Sequence, residues 1–89
     1  MVGRKVRITG RVQGVFFRQW TVGEASELGV TGWVRNCLDG SVEVHVEGDQ
    51  VAVVQMIARL REGSPHARVD HVDVEAVEAE GSDTFEIRH

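Results

Sequence analysis

A chain of 89 residues, 42% hydrophobic and 27% charged, with a net charge of −4, has the size and composition of one globular domain spanning residues 1–89. The acidic balance argues against non-specific nucleic-acid binding, which is driven by phosphate neutralisation. No apolar run is long enough to span a membrane, no signal-peptide pattern opens the chain, and the single cysteine, Cys37, excludes an internal disulfide, so a cytoplasmic location is expected.

Lys5 to Val12 alternates, with Val6, Ile8 and Val12 on one side and Lys5, Arg7, Thr9 and Arg11 on the other, which predicts a half-buried strand. Gln13 to Phe17 reads as a loop. From Phe17 or Arg18 to Leu28, the spacing of Trp20 or Thr21, Ala25 and Leu28 predicts a helix stopped by Gly29, with Gly23 as an unfavourable interior residue. Thr31 to Asn36 reads as a second strand, Asp39-Gly40 as a turn, and Ser41 to Glu47 as a third strand with Val42, Val44 and Val46 inward. Asp49 is placed to cap a helix running to Glu62, with Val53, Met56, Ile57 and Leu60 on one face and Gly63 as its stop. After the Ser64-Pro65 connection, Val69 to Ala79 reads as a fourth strand whose irregular period predicts a bulge. Phe85 to Arg88 reads as a short edge strand.

The order β-α-β-β-α-β predicts an α+β, ferredoxin-like sandwich: one antiparallel sheet with two helices on one face. In that topology strands one and two run parallel with strand three between them. The loop after strand one, Gln13 to Arg18, and the loop after strand two, beginning at Asn36, should then meet at one end of the sheet. Val34 and Asn36 share a face, so an inward Val34 turns Asn36 toward the helix side.

Charge is distributed unevenly. Arg4, Lys5, Arg7, Arg11, Arg18 and Arg35 fall in the N-terminal part and the C-terminal third is acidic, which places any anion site early in the chain. The stretch Gly10 to Arg18 opens as a strand, breaks at Gly14 and ends in an arginine where a helix begins. Backbone N–H groups in a tight loop and at a helix start carry partial positive charge. Those of Gly14, Val15, Phe16, Phe17 and Arg18 could cradle an anion, and the Arg18 guanidinium could bind two of its oxygens at once. The plain alternative is a turn glycine followed by a solvated arginine. Yet an arginine at a helix N-terminus is misplaced by roughly 0.3–1 kcal/mol, a misplacement that an anion between the two would reverse. No Gly-Lys-Ser/Thr follows and Gly-x-Gly-x-x-Gly is absent, so neither common nucleotide loop is present.

Asn36 is the second candidate. An asparagine at a strand end commonly bonds its own turn. It cannot act as a base, but its carbonyl oxygen and amide can hold a water. The remaining candidates favour plainer roles. His45, His66, His71 and His89 lack a metal-ligand spacing and read as surface residues, with no metal site. Asp39 reads as a turn residue, Cys37 as incidental, Trp20 and Trp33 as packing or partly exposed residues, and at least one of Phe16 and Phe17 as core. The acidic run from Glu75 to Glu80 reads as a solvated face or turn.

Gly10, Val12, Gln13, Gly14, Val15, Phe17 and Arg18 meet the pattern Gly-x-Val-Gln-Gly-Val-x-Phe-Arg. Gly32 to Asn36 and Asp39 to Glu43 meet Gly-Trp-Val-Arg-Asn and Asp-Gly-x-Val-Glu. With these motifs the chain resembles, over nearly its whole length, the acylphosphatase family. The resemblance implies hydrolysis of the carboxyl-phosphate bond of an acyl phosphate to carboxylate and inorganic phosphate. It implies that Arg18 and the N–H groups of Gly14, Val15, Phe16, Phe17 and Arg18 bind the phosphoryl group, and that Asn36 orients the attacking water. A carboxylate leaving group departs without a general acid, so positioning and charge stabilisation suffice. No metal, organic cofactor or phosphoenzyme is implied. The partner is a small-molecule acyl phosphate, with no nucleic acid or membrane, and a monomer is expected. Cys37 stands where some members carry threonine or serine, a position read here as tolerant.

A non-enzymatic binding module is the competing class. An RNA-binding version needs aromatics on the open sheet face, where strand one offers Lys5, Arg7, Thr9 and Arg11 and strand three Ser41, Glu43, His45 and Glu47. A metal-carrying version needs a Cys-x-x-Cys in the first loop. A small-anion sensor using the same cradle differs from the enzyme by binding without turnover, and fold alone does not separate the two.

Overall fold

The computed structural model describes all of residues 1–89. The elements are β1 (Val2–Arg11), α1 (Phe17–Leu28), β2 (Thr31–Asn36), β3 (Val42–Gly48), α2 (Gln50–Glu62), β4 (Arg68–Val77) and β5 (Phe85–Arg88). The strands form one sheet in the order β4-β1-β3-β2-β5. β3 lies between β1 and β2 and pairs antiparallel with both, so β1 and β2 point the same way and end at the same edge. β5 pairs parallel with β2. The sheet is therefore mixed, a correction to the purely antiparallel sheet expected from element order, because the terminal strand adds beyond the four-stranded core.

The alternation of β1, β2 and β3 turns Val6, Ile8, Val34, Val42, Val44 and Val46 to the helix side, where each is fully buried. α1 adds Phe17, Thr21 and Ala25 to that layer, and α2 adds Val53, Met56 and Leu60. Ile57 is only partly buried against them. The Asp49 carboxylate accepts from the Val51 N–H at 3.1 Å and caps α2 as expected. The irregular period of β4 has its physical cause in the pairing with β1. Thr9 faces His71 and Gly10 faces Val69, so one extra residue, Asp70, is accommodated on β4.

The opposite face of β3 is less open than the alternation suggests. Glu43, His45 and Glu47 lie on it, yet all three are buried. The Glu47 carboxylate bonds His45 Nε2 at 2.6 Å and accepts the backbone N–H groups of Glu80 and Ser82 at 2.6 and 2.7 Å. The segment between β4 and β5 is thus folded over the end of this face. His45 is consequently a buried, paired histidine and not a surface one. Trp33 lies on the same face, stacked on the His45 ring at 5.8 Å and donating through Nε1 to Glu80 at 3.0 Å. The guanidinium groups of Arg35 and Arg88 lie 5.5 and 4.9 Å from its ring centre, a cation–π arrangement that leaves the indole covered.

Gly32 lets β2 approach β3 at the register that sets Asn36. A Cβ at this position, where φ is +141°, would fall 1.8 Å from the His45 carbonyl oxygen. That oxygen belongs to the backbone of the central strand and has little freedom to yield. Gly32→Ala is expected to destabilise the fold by more than about 3 kcal/mol, near the upper end for single substitutions. A denaturant titration checks this, and an unchanged midpoint would show that the strand pair relaxes easily.

Candidate functional site

β1 ends at Arg11 and the chain turns through Gly14, at φ +73°, into α1. The residue at the helix N-cap is Phe16, held at φ 60° and ψ 25°, and no side chain caps the helix. It is the only non-glycine residue with positive φ. That conformation costs about 1–2 kcal/mol for an L-residue, and persists where the surroundings impose it. The imposition comes from the next residue: Phe17 is 1% exposed in the core, whereas Phe16 is 76% exposed. One phenylalanine anchors the loop and the other stands at its rim.

The consequence is a helix start rich in free donors. The first backbone bond of α1 runs from the Trp20 N–H to the Phe16 carbonyl at 3.0 Å, and the N–H groups from Gly14 through Gln19 make no hydrogen bond within the chain. The first turn holds no acidic residue. It holds Arg18, which is not among the arginines paired with carboxylates, namely Arg7, Arg35, Arg59, Arg68 and Arg88. The Arg18 guanidinium donates to His89 Nδ1 at 3.4 Å, a contact that requires the imidazole proton on Nε2. Uncapped N–H groups, the helix dipole and an unpaired guanidinium all present positive charge to one place.

That place is a cavity of about 410 Å³ lined by Val12, Gly14, Phe16, Phe17, Arg18, Gln19, Asn36, Ile87 and His89. The two loops expected to meet do meet, and Asn36 lies on the helix side with the first loop. Its Oδ1 is buried and bonds nothing in the chain. This contrasts with the self-satisfied turn asparagine that was the plainer reading, since buried polar atoms are normally paired. Of the five cradle residues, Val15 does not line the cavity, and its side chain packs on the core. Gln19 and Ile87 line it without having been singled out, and so does His89, which the sequence marked only as a surface histidine. The β5 residues Ile87 and, just beyond it, His89 reach the site only because β5 adds beside β2.

The β2–β3 connection is stiffened by Asp39. Its Oδ1 accepts from the Ser41 N–H at 2.9 Å and the Ser41 hydroxyl at 2.6 Å, and its other oxygen pairs with Arg7. The hydroxyl and backbone bonds from Ser41, with help from Arg7, bring its carboxyl from the ordinary 3.8 down to about 2. A carboxyl held low in the folded state stabilises the fold above its unfolded pKa and loses that contribution as pH falls through the folded one. Stability is therefore expected to decline between pH 3.8 and about 2, and Asp39→Asn should flatten part of that decline in a pH series of thermal melts. An identical acid slope in the variant would contradict the assignment. Cys37 and Asn36 line a second hollow of about 560 Å³ beside this turn, together with Arg7, Arg35, Leu38, Asp39 and His89.

The acylphosphatase family model matches residues 4–87. An acylphosphatase from Rhizorhabdus wittichii is 55% identical over 74 residues, covering 83% of this chain and 75% of that protein. One from Anaeromyxobacter dehalogenans is 49% identical over 88 residues, covering 98% and 95%. Among solved structures, the acylphosphatase from Bacillus subtilis superposes with a TM-score of 0.96 at 34% identity over 100% of both chains. With the two signature loops meeting at one cavity and relatives matching along almost the whole length, the chain belongs to the acylphosphatase family.

Proposed function

We propose that this chain hydrolyses acyl phosphates, with the cavity between Arg18 and Asn36 as its active site. The observation that carries the reading is the juxtaposition of an uncapped, acid-free helix start bearing the unpaired Arg18 with the buried, unpartnered Oδ1 of Asn36. The phosphoryl oxygens accept from the N–H groups of Gly14, Val15, Phe16, Phe17 and Arg18 and from the Arg18 guanidinium. Asn36 accepts a hydrogen from the attacking water and aims its oxygen at phosphorus. The new P–O bond forms as the bond between phosphorus and the carboxyl oxygen breaks. The carboxylate leaves with the bonding pair, and both protons of the water finish on dihydrogen phosphate.

No side chain needs to exchange a proton in this scheme, because the leaving group is a weak base. The protein's contribution is placement of the water and stabilisation of charge on the equatorial oxygens. The test is hydrolysis of benzoyl phosphate by the purified protein with a metal chelator present and inorganic phosphate as competitor. Turnover that survives chelation and is inhibited by phosphate is expected. A folded protein that binds phosphate without turning over benzoyl phosphate would instead be an anion sensor.

A further inference from the structure

Gln13 directly precedes the cradle, and its side chain leaves the loop it belongs to. Its Nε2 lies 2.8 Å from the Cys37 carbonyl oxygen and 2.8 Å from the Ser41 carbonyl oxygen. Both partners are acceptors only, which fixes the amide orientation without ambiguity and uses both of its hydrogens. Cys37 follows Asn36, and Ser41 precedes β3. The same turn is closed by the Cys37 N–H donating to the Ser41 carbonyl at 2.8 Å and the Gly40 N–H donating to the Cys37 carbonyl at 3.2 Å. Gln13 therefore reaches from the end of β1 across the start of β3 to the end of β2. β1 and β2 are not neighbours in the sheet, so this side chain joins directly two loops that the strand ladder joins only through β3.

We propose that Gln13 is a positioning residue that sets the spacing between the phosphate cradle and Asn36. The inference rests on the active-site reading above. An amide with two hydrogens suits two converging carbonyls. A carboxylate of the same shape offers no hydrogen and places negative charge against both oxygens, and a methionine of similar length offers neither hydrogen nor charge. With the tie lost, the cradle keeps its own backbone geometry, anchored by Phe17, while the loop carrying Asn36 is freed to drift. A misplacement of order 1 Å can cost about 10²-fold in rate.

The experiment measures kcat and KM for benzoyl phosphate, and the inhibition constant of inorganic phosphate, in Gln13→Glu, Gln13→Met, Asn36→Ala and the double variant Gln13→Met/Asn36→Ala, with folding checked by denaturant titration. Both Gln13 variants are expected to lose about 10–10²-fold in kcat while the phosphate inhibition constant stays within about threefold of the parent, a difference worth less than one factor of ten in binding. In Gln13→Glu the loss should shrink toward acidic pH, where the protonated carboxyl regains one donor; Gln13→Met should show no such recovery. On the Asn36→Ala background the Gln13→Met loss should nearly vanish, because both changes act on the same water. A kcat near the parent in both folded variants overturns the proposal. So does a rise in the phosphate constant that accounts for the whole loss, or full additivity with Asn36→Ala. If the parent protein itself binds phosphate without turnover, the active-site reading falls and this inference with it, an outcome distinct from an active parent with indifferent Gln13 variants.

Discussion

Arg18→Lys is expected to lower kcat/KM for benzoyl phosphate by about 10³-fold, the scale on which a single arginine acts in phosphoryl transfer, although the formal charge is unchanged. The reason lies in the shape of the group. A guanidinium presents two parallel N–H donors to two phosphoryl oxygens, and an ammonium presents a strongly hydrated point charge on a flexible stem. Arg18 sits in the first turn of a helix whose dipole repels it and has no carboxylate partner, so its position is favourable only when an anion lies between guanidinium and helix start. Both KM and the inhibition constant of inorganic phosphate should rise with the loss in rate, since the fork engages the oxygens before and during the reaction. A melting midpoint close to that of the parent is expected, because lysine leaves the same positive charge against the helix dipole and the change reads the shape of the group alone. Parent-like rates in Arg18→Lys would show that a point charge suffices at this position and that the two-pronged contact has no part in the rate.

How far the sequence alone led depends on whether a feature is local. The helices from Phe17 to Leu28 and up to Glu62, the Asp49 cap and the strand from Thr31 to Asn36 are written in periodicity and capping residues, and the structure has them in those places. The meeting of the two loops was also legible, because it follows from element order and the parallel direction of β1 and β2. The parity of Val34 and Asn36 then put Asn36 on the helix side, where it lines the cavity. Features that depend on long-range placement were not legible. The burial of His45 and Glu47 arises because Glu80 and Ser82 fold back over an alternating polar face, and alternation alone marks such a face as solvated. Likewise the parallel pairing of β5 with β2, which brings Ile87 and His89 to the cavity, needs a partner strand that a four-residue segment does not name. The long reach of Gln13 left no local mark beyond its membership of the first motif. Nothing in a loop of Gly, Val and Phe residues names the Cys37 and Ser41 carbonyls, 24 and 28 positions away, as its partners.

Asn36→Ala should separate chemistry from binding. The cradle contains no atom of the Asn36 side chain, so inorganic phosphate is expected to inhibit the variant with an almost unchanged constant, while kcat falls by about 10²–10³-fold, the usual cost of one preorganised polar group. The buried Oδ1 makes no bond inside the chain, so its deletion strands no partner, and the melting midpoint should change little. This combination of intact fold, intact phosphate binding and lost turnover is what a water-positioning group leaves behind when removed. Asn36→Asp extends the test. The carboxylate is nearly isosteric and can still accept a hydrogen from water, but it places negative charge beside a dianionic phosphoryl group. Phosphate affinity should therefore weaken in Asn36→Asp and not in Asn36→Ala, with the weakening relieved at acidic pH as the carboxyl is neutralised. If instead Asn36→Ala loses phosphate affinity while turnover per bound substrate is preserved, Asn36 is a ligand of the phosphoryl group, and the attacking water is held by another lining residue, for which His89 and Gln19 supply the remaining polar side chains besides Arg18.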